Sequence, residues 1–147
     1  MRALGIDYGR RHIGVALSDP TLFLASPLTV IENRGVKTVD EIMDIIAANS
    51  VGVVVVGLAL HMDGTDSEIS REARAFATEL AARGIAVEFE DERFTTKIAT
   101  NAMMEQFGGR RRGDVKTRQK FVSNSVDKVS ASVILQLYLD KRRAQSQ

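Results

Sequence analysis

Hydrophobic positions along this chain fall into three patterns, and each predicts a different kind of element. Arg2 to Tyr8 and Ile13 to Leu17 are short apolar runs joined through Gly9-Arg10-Arg11, which predicts an antiparallel hairpin. Leu28-Thr29-Val30-Ile31, after the breakers Pro20 and Pro27, reads as a third strand. From Lys37 to Asn49 the apolar residues Val39, Ile42, Met43 and Ile46 recur at helical spacing. Val51 to Leu58, VGVVVVGL, is β-branched without polar alternation, as in a strand covered on both faces.

Thr65-Asp66-Ser67-Glu68 has the spacing of a capping box. It predicts a helix carrying Ile69, Ala73, Phe76, Ala77 and Leu80 that stops at Gly84. Ile85 to Phe89 alternates as a fifth strand, and further helices are expected over Thr95 to Phe107 and Ser125 to Lys141. Residues 142–147 are expected to fray. The order β-β-β-α-β-α-β-α-α predicts one α/β domain over residues 1–141, a mixed five-stranded sheet with helices on both faces.

Composition narrows the chemistry. The chain has 147 residues, 44% of them hydrophobic and 27% charged, enough to bury a core without a disulfide or structural metal. There is no cysteine, which excludes thiolate zinc sites and cysteine nucleophiles. Asp7 interrupts the first apolar run, and Val51 to Leu60 is half the length of a membrane span. No signal peptide or membrane partner is therefore expected, and the expected address is cytoplasmic.

The net charge is only +1, so any basic surface must be local. It is concentrated in Arg110, Arg111, Arg112, Lys116, Arg118 and Lys120, opposed by Asp114 alone. Such a stretch beside glycines predicts a phosphate-contacting loop; the competing reading is a merely solvated one.

Three acidic positions are candidates for chemistry. Asp7 closes a predicted central strand between Gly5 and Gly9; it either binds a ligand or caps the turn. Asp127 leads the otherwise largely apolar row Asp127, Ala131, Ile134, Tyr138 on the last helix, which turns it toward the sheet. Glu88, Glu90, Asp91 and Glu92 follow the fifth strand; for them a solvated strand edge is the simpler reading. Acids on separated elements suit Mg²⁺ or Mn²⁺. Two such ions about 4 Å apart support phosphodiester hydrolysis, with the basic stretch gripping the backbone.

GIDYGRRHIGVALSD (residues 5–19), GLALHMDGT (57–65), DERFTT (91–96) and VDKVSASVILQLYLD (126–140) resemble the YqgF/RuvX family, in its motif order and over nearly the whole chain. The resemblance implies an RNase H-like, RuvC-like fold and a Mg²⁺- or Mn²⁺-dependent nuclease, with two ions expected. It implies as substrate either Holliday junctions or the 5′ end of the small-subunit ribosomal RNA precursor. It makes Asp7, Glu92 and Asp127 the catalytic, metal-holding acids, with Asp63 the alternative to Glu92. Members usually carry proline where this chain has Ala59 and alanine where it has Ser130. The expected partner is structured RNA or branched DNA, and the expected state a monomer or homodimer. Two rival readings are an actin- or hexokinase-like phosphate-binding domain and a non-catalytic nucleic-acid-binding adaptor. The first would need a second copy of the fold to enclose a nucleotide.

Overall fold

A computed structural model of the chain describes residues 1–92 and 115–145, and over 115–129 it describes the course of a helix alone. The strands are β1 (Arg2–Asp7), β2 (His12–Ser18), β3 (Ala25–Glu32), β4 (Val51–Leu58) and β5 (Ala86–Asp91). They form one sheet in the order β3-β2-β1-β4-β5. The β1–β2 and β2–β3 pairs are antiparallel, and β1–β4 and β4–β5 are parallel. The described helices are α1 (Val36–Ala48), α2 (Glu68–Ala82) and α3 (Val115–Gln145).

The sheet is covered on both faces. On one, Leu4, Ile6, Ile13, Val15, Val54 and Val56 pack with Val39 and Ile42 of α1 and Phe76 and Leu80 of α2. On the other, Ala3, Ala16, Val53 and Val55 meet Ala131, Ile134, Leu135 and Leu139 of α3. Successive valines of β4 thus enter opposite cores, which is why that strand shows no polar alternation. Small residues let α3 lie close to β1. A Cβ at Gly5 would stand 2.8 Å from Leu135 Cβ and 2.9 Å from the Ala131 carbonyl oxygen.

Several boundaries differ from the sequence pattern, each for a local reason. β3 begins at Ala25 and includes Pro27; an edge strand tolerates proline, and the β2–β3 register shifts beside it. The N-cap of α2 is Ser67, whose hydroxyl accepts from the Ser70 N–H at 3.1 Å. Thr65 is instead held in the preceding turn by Asp63. β5 runs on to Asp91, so Glu90 and Asp91 are strand residues as Glu88 is. α3 begins at Val115, so Lys116, Arg118 and Lys120 lie on a helix and not in a loop. The helix expected over Thr95 to Phe107 and the arginines Arg110, Arg111 and Arg112 lie outside the described residues. Among the described residues, no helix is long and apolar enough to cross a membrane.

Candidate metal centre

Asp7 ends β1 on the face that carries α3, two residues beyond Gly5. Its register partner on β2 is Gly14. On the other side it lies one step past the Ile6–Val56 pair, beside Gly57 of β4. Because paired residues share a face, Asp7 stands between two positions without side chains. Two neighbours that would ordinarily crowd it are missing.

Glu92 enters this hollow from β5. Its backbone N–H donates to the Leu58 carbonyl at 3.0 Å, which carries the β4–β5 pairing one step past the strand. The alternation keeps it on the face of Glu88 and Glu90, and its side chain reaches back over Gly57. A Cβ built at Gly57 would stand 2.2 Å from Glu92 Oε2 and 2.5 Å from Ile134 Cδ1. Burial first, then the charge of Asp7 and a hydrogen bond with it, push the Glu92 carboxyl up to about 8. Two carboxylates so placed repel one another, which favours the protonated form of Glu92.

The other expected site residues are distributed as follows. Asp127 lies on α3 one turn before Ala131, whose carbonyl meets β1 at Gly5; its side chain is outside the described residues. Asp63 is exposed and committed to its own turn, accepting from the Thr65 N–H at 3.0 Å and the Thr65 hydroxyl at 2.6 Å. Those two bonds hold its carboxyl below the usual range. Glu90 is not a solvated edge residue: it is buried and accepts from the Lys141 ammonium of α3. Glu88 faces Tyr138, whose hydroxyl is pushed up by burial and then by its hydrogen bond to Glu88. Ala59, at the motif position where proline is usual, offers its carbonyl to the Ser67 hydroxyl. Ser130 is buried on α3.

Register brings one further set of residues to this end of the sheet. His12 lies two residues before Gly14 on β2, on the same face as Asp7, and Arg10 and Arg11 sit in the turn between them. Sequence pattern marks this turn only as a hairpin; the β1–β2 register is what places it beside the acids.

The donors suit a hard divalent cation, since Asp7 and Glu92 offer carboxylate oxygens over a glycine floor. Among the described residues, no cluster of three acids or histidines stands around one point. Asp127, the third acid expected from the sequence, lies on α3.

A mixed sheet in this order with helices on both faces is an RNase H-like, RuvC-like fold. Thermus thermophilus RuvC, solved in complex with a Holliday junction substrate, is similar at a TM-score of 0.56 and 14% identity, covering 97% of this chain and 96% of that one. The Holliday junction resolvase of fowlpox virus gives a TM-score of 0.54 and 12% identity, covering 96% of this chain and 99% of that one. The chain belongs to the RuvX family, whose model, described as a Holliday junction resolvase, matches residues 1–141. A relative from Anaeromyxobacter sp. (strain Fw109-5), named "Putative pre-16S rRNA nuclease", is 43% identical over 98% of this chain and 100% of its own. One of the same name from Nitrosospira multiformis is 38% identical over 97% of this chain and 89% of its own.

Proposed function

We propose that the chain is a divalent-metal-dependent endonuclease that hydrolyses phosphodiester bonds of structured nucleic acid. Asp7, Glu92 and Asp127 are its metal-holding acids. The observation that carries this reading is the meeting of Asp7 and Glu92 over Gly57. A surface that only binds phosphate gains nothing from two neighbouring carboxylates, since each repels the ligand.

Bound at these acids, Mg²⁺ or Mn²⁺ would supply water activation and charge stabilisation at the leaving oxygen. The protein's own contribution is placement. The β1 register fixes Asp7, the Glu92–Leu58 backbone bond fixes the second acid, and the two glycines leave room for a phosphate to approach. In the reaction the oxygen of water forms a bond to phosphorus, one P–O ester bond breaks, and the departing oxygen takes a proton. Glu92 is favoured over Asp63 because Asp63 is spent on its turn, whereas Glu92 is directed at Asp7.

The names of the relatives favour precursor ribosomal RNA as substrate, while the RuvC of similar fold was solved with a Holliday junction. The experiment is cleavage of both, with and without Mg²⁺ or Mn²⁺, by the wild-type protein and by Asp7→Asn. Metal-dependent cleavage by the wild type, lost in a folded Asp7→Asn, is expected. Equal cleavage by the two would overturn the assignment, and the preferred nucleic acid identifies the substrate class.

A further inference from the structure

Resting on the nuclease reading, we propose that the β1–β2 turn is a phosphate clamp next to the metal centre. In it His12 holds the substrate phosphate adjoining the one that is cut, and Arg11, exposed at the rim of the same turn, pairs with the sugar-phosphate backbone beside it.

Three observations carry the proposal. The first is proximity set by register. Asp7 pairs with Gly14, and His12 is two residues from Gly14 on the same strand and face. In an antiparallel ladder this makes His12 a diagonal neighbour of Asp7, about 7 Å away between backbones. Gly14 puts no side chain between them.

The second is preorganisation. A Cβ at Gly9 would lie 2.4 Å from the His12 carbonyl oxygen, so the turn closes tightly at a position only glycine fits. Asn33, just after β3, donates its side-chain amide to the Gly9 carbonyl and its backbone N–H to the Arg11 carbonyl, both at 2.8 Å. Tyr8 packs on Phe76 of α2 with ring centroids 5.5 Å apart. The turn is therefore tied to β3 on one side and to α2 on the other. A group fixed before binding loses little entropy on contact.

The third is charge. Arg10 is engaged by Glu72 at 3.0 Å and Glu68 at 3.1 Å, and Arg34 by Glu32. Arg11 is exposed and has no ion-pair partner among the described residues. It is the cation of this turn left available to a polyanion. His12 is also exposed, and Glu32, its register partner on β3, faces it. A substrate drawn to acids needs a positive charge beside them to offset their repulsion. Arg11 supplies that charge at the rim of the turn, and His12 offers a ring N–H on the face of Asp7.

The test measures binding apart from cleavage. Full-length protein carrying Asp7→Asn is titrated with a fluorescein-labelled four-way DNA junction and with a labelled RNA hairpin, over a range of salt concentrations. Adding Arg11→Ala is expected to flatten the plot of log affinity against log salt by about 0.9 on duplex arms, and Arg11→Lys to keep the parent slope. His12→Ala is expected to weaken both probes by about fivefold, the loss of one hydrogen bond. Arg83→Gln, at the far end of α2, removes the same charge away from the site and should leave the slope unchanged. An Arg11→Ala slope equal to that of Arg83→Gln, with His12→Ala binding as the parent does, would overturn the clamp while the nuclease reading stands. No binding of either probe by the parent would overturn both.

Discussion

The carboxylate of Glu92 occupies the space that a side chain at Gly57 would fill. A Cβ there would stand 2.2 Å from Glu92 Oε2, with Ile134 Cδ1 only 2.5 Å away on the helix side. Gly57→Ala should therefore push the carboxylate away from Asp7. Misplacing a reacting group by about 1 Å costs about 10²-fold in rate. The same methyl should cost about 1–3 kcal/mol of stability by overpacking. Ile134→Val in the same chain should recover part of the stability and none of the rate. Single-turnover cleavage and urea denaturation of the single and double variants check this. Recovery of both together would mean that Gly57 serves packing alone.

The Asp7–Glu92 pair also sets a pH dependence of folding in the absence of metal. The folded Glu92 carboxyl titrates at about 8, above its ordinary 4.5. Its protonated form is thus favoured by the fold, and this stabilisation is full below 4.5 and lost as pH rises through about 8. Asp19 acts in the opposite direction. Backbone N–H bonds from Leu24 and Phe23 and the Thr21 hydroxyl lower its pKa, so its contribution is present at neutral pH and lost in acid. The urea midpoint in EDTA should fall between pH 5 and pH 9, and Glu92→Gln should flatten that limb while leaving the acid limb in place. An unchanged alkaline limb in Glu92→Gln would place its origin elsewhere.

The sheet and its two covering layers are legible in the sequence because binary pattern and strand burial follow directly from side-chain period. Val51 to Leu58 matches its predicted bounds because a run of valines between two cores has no alternative role. The cap of α2 is misplaced by the sequence pattern because Thr65 has the capping-box spacing to Glu68, whereas Ser67, the observed cap, has Ser70 at that distance. Tertiary context decides, with Asp63 taking Thr65 and Ala59 receiving the Ser67 hydroxyl. Asp7 is legible from its place between glycines, whereas the meeting of Glu92 with Asp7 depends on β4–β5 register, which no local pattern encodes. Glu90 reads as a solvated edge residue because Lys141, which covers it, lies fifty-one residues away along the chain.

The two polar tethers of the β1–β2 turn, the Arg10 ion pairs and Asn33, should differ in weight. Arg10 is exposed, and its pairs with Glu68 and Glu72 lie in water, where ion pairs contribute little and salt screens them. Asn33 is half-buried, and its side chain both donates to the Gly9 carbonyl and accepts from the Gly35 N–H at 3.2 Å. Asn33→Ala should cost about 1–2 kcal/mol and speed amide exchange in residues 9–12. Arg10→Ala should leave the urea midpoint close to wild type. Comparable losses in the two variants would show that the ion pairs, not the asparagine, hold the turn.

The basic stretch supplies the last prediction. Arg110, Arg111 and Arg112 adjoin Gly108-Gly109 and Gly113 and are opposed only by Asp114. If they touch the sugar-phosphate backbone, replacing all three by alanine should weaken binding for every sequence tested, because phosphate contacts carry no base information. Each phosphate left without its arginine should flatten the salt dependence by about 0.9 on duplex DNA and about 0.7 on single strands. Single-turnover cleavage at saturating substrate should change much less, since the acids are untouched. Arg11 lies on a separate stretch of chain, so its effect on the slope should add to that of the triple variant. A triple-alanine slope equal to wild type would show that these arginines are solvated charges with no part in holding substrate.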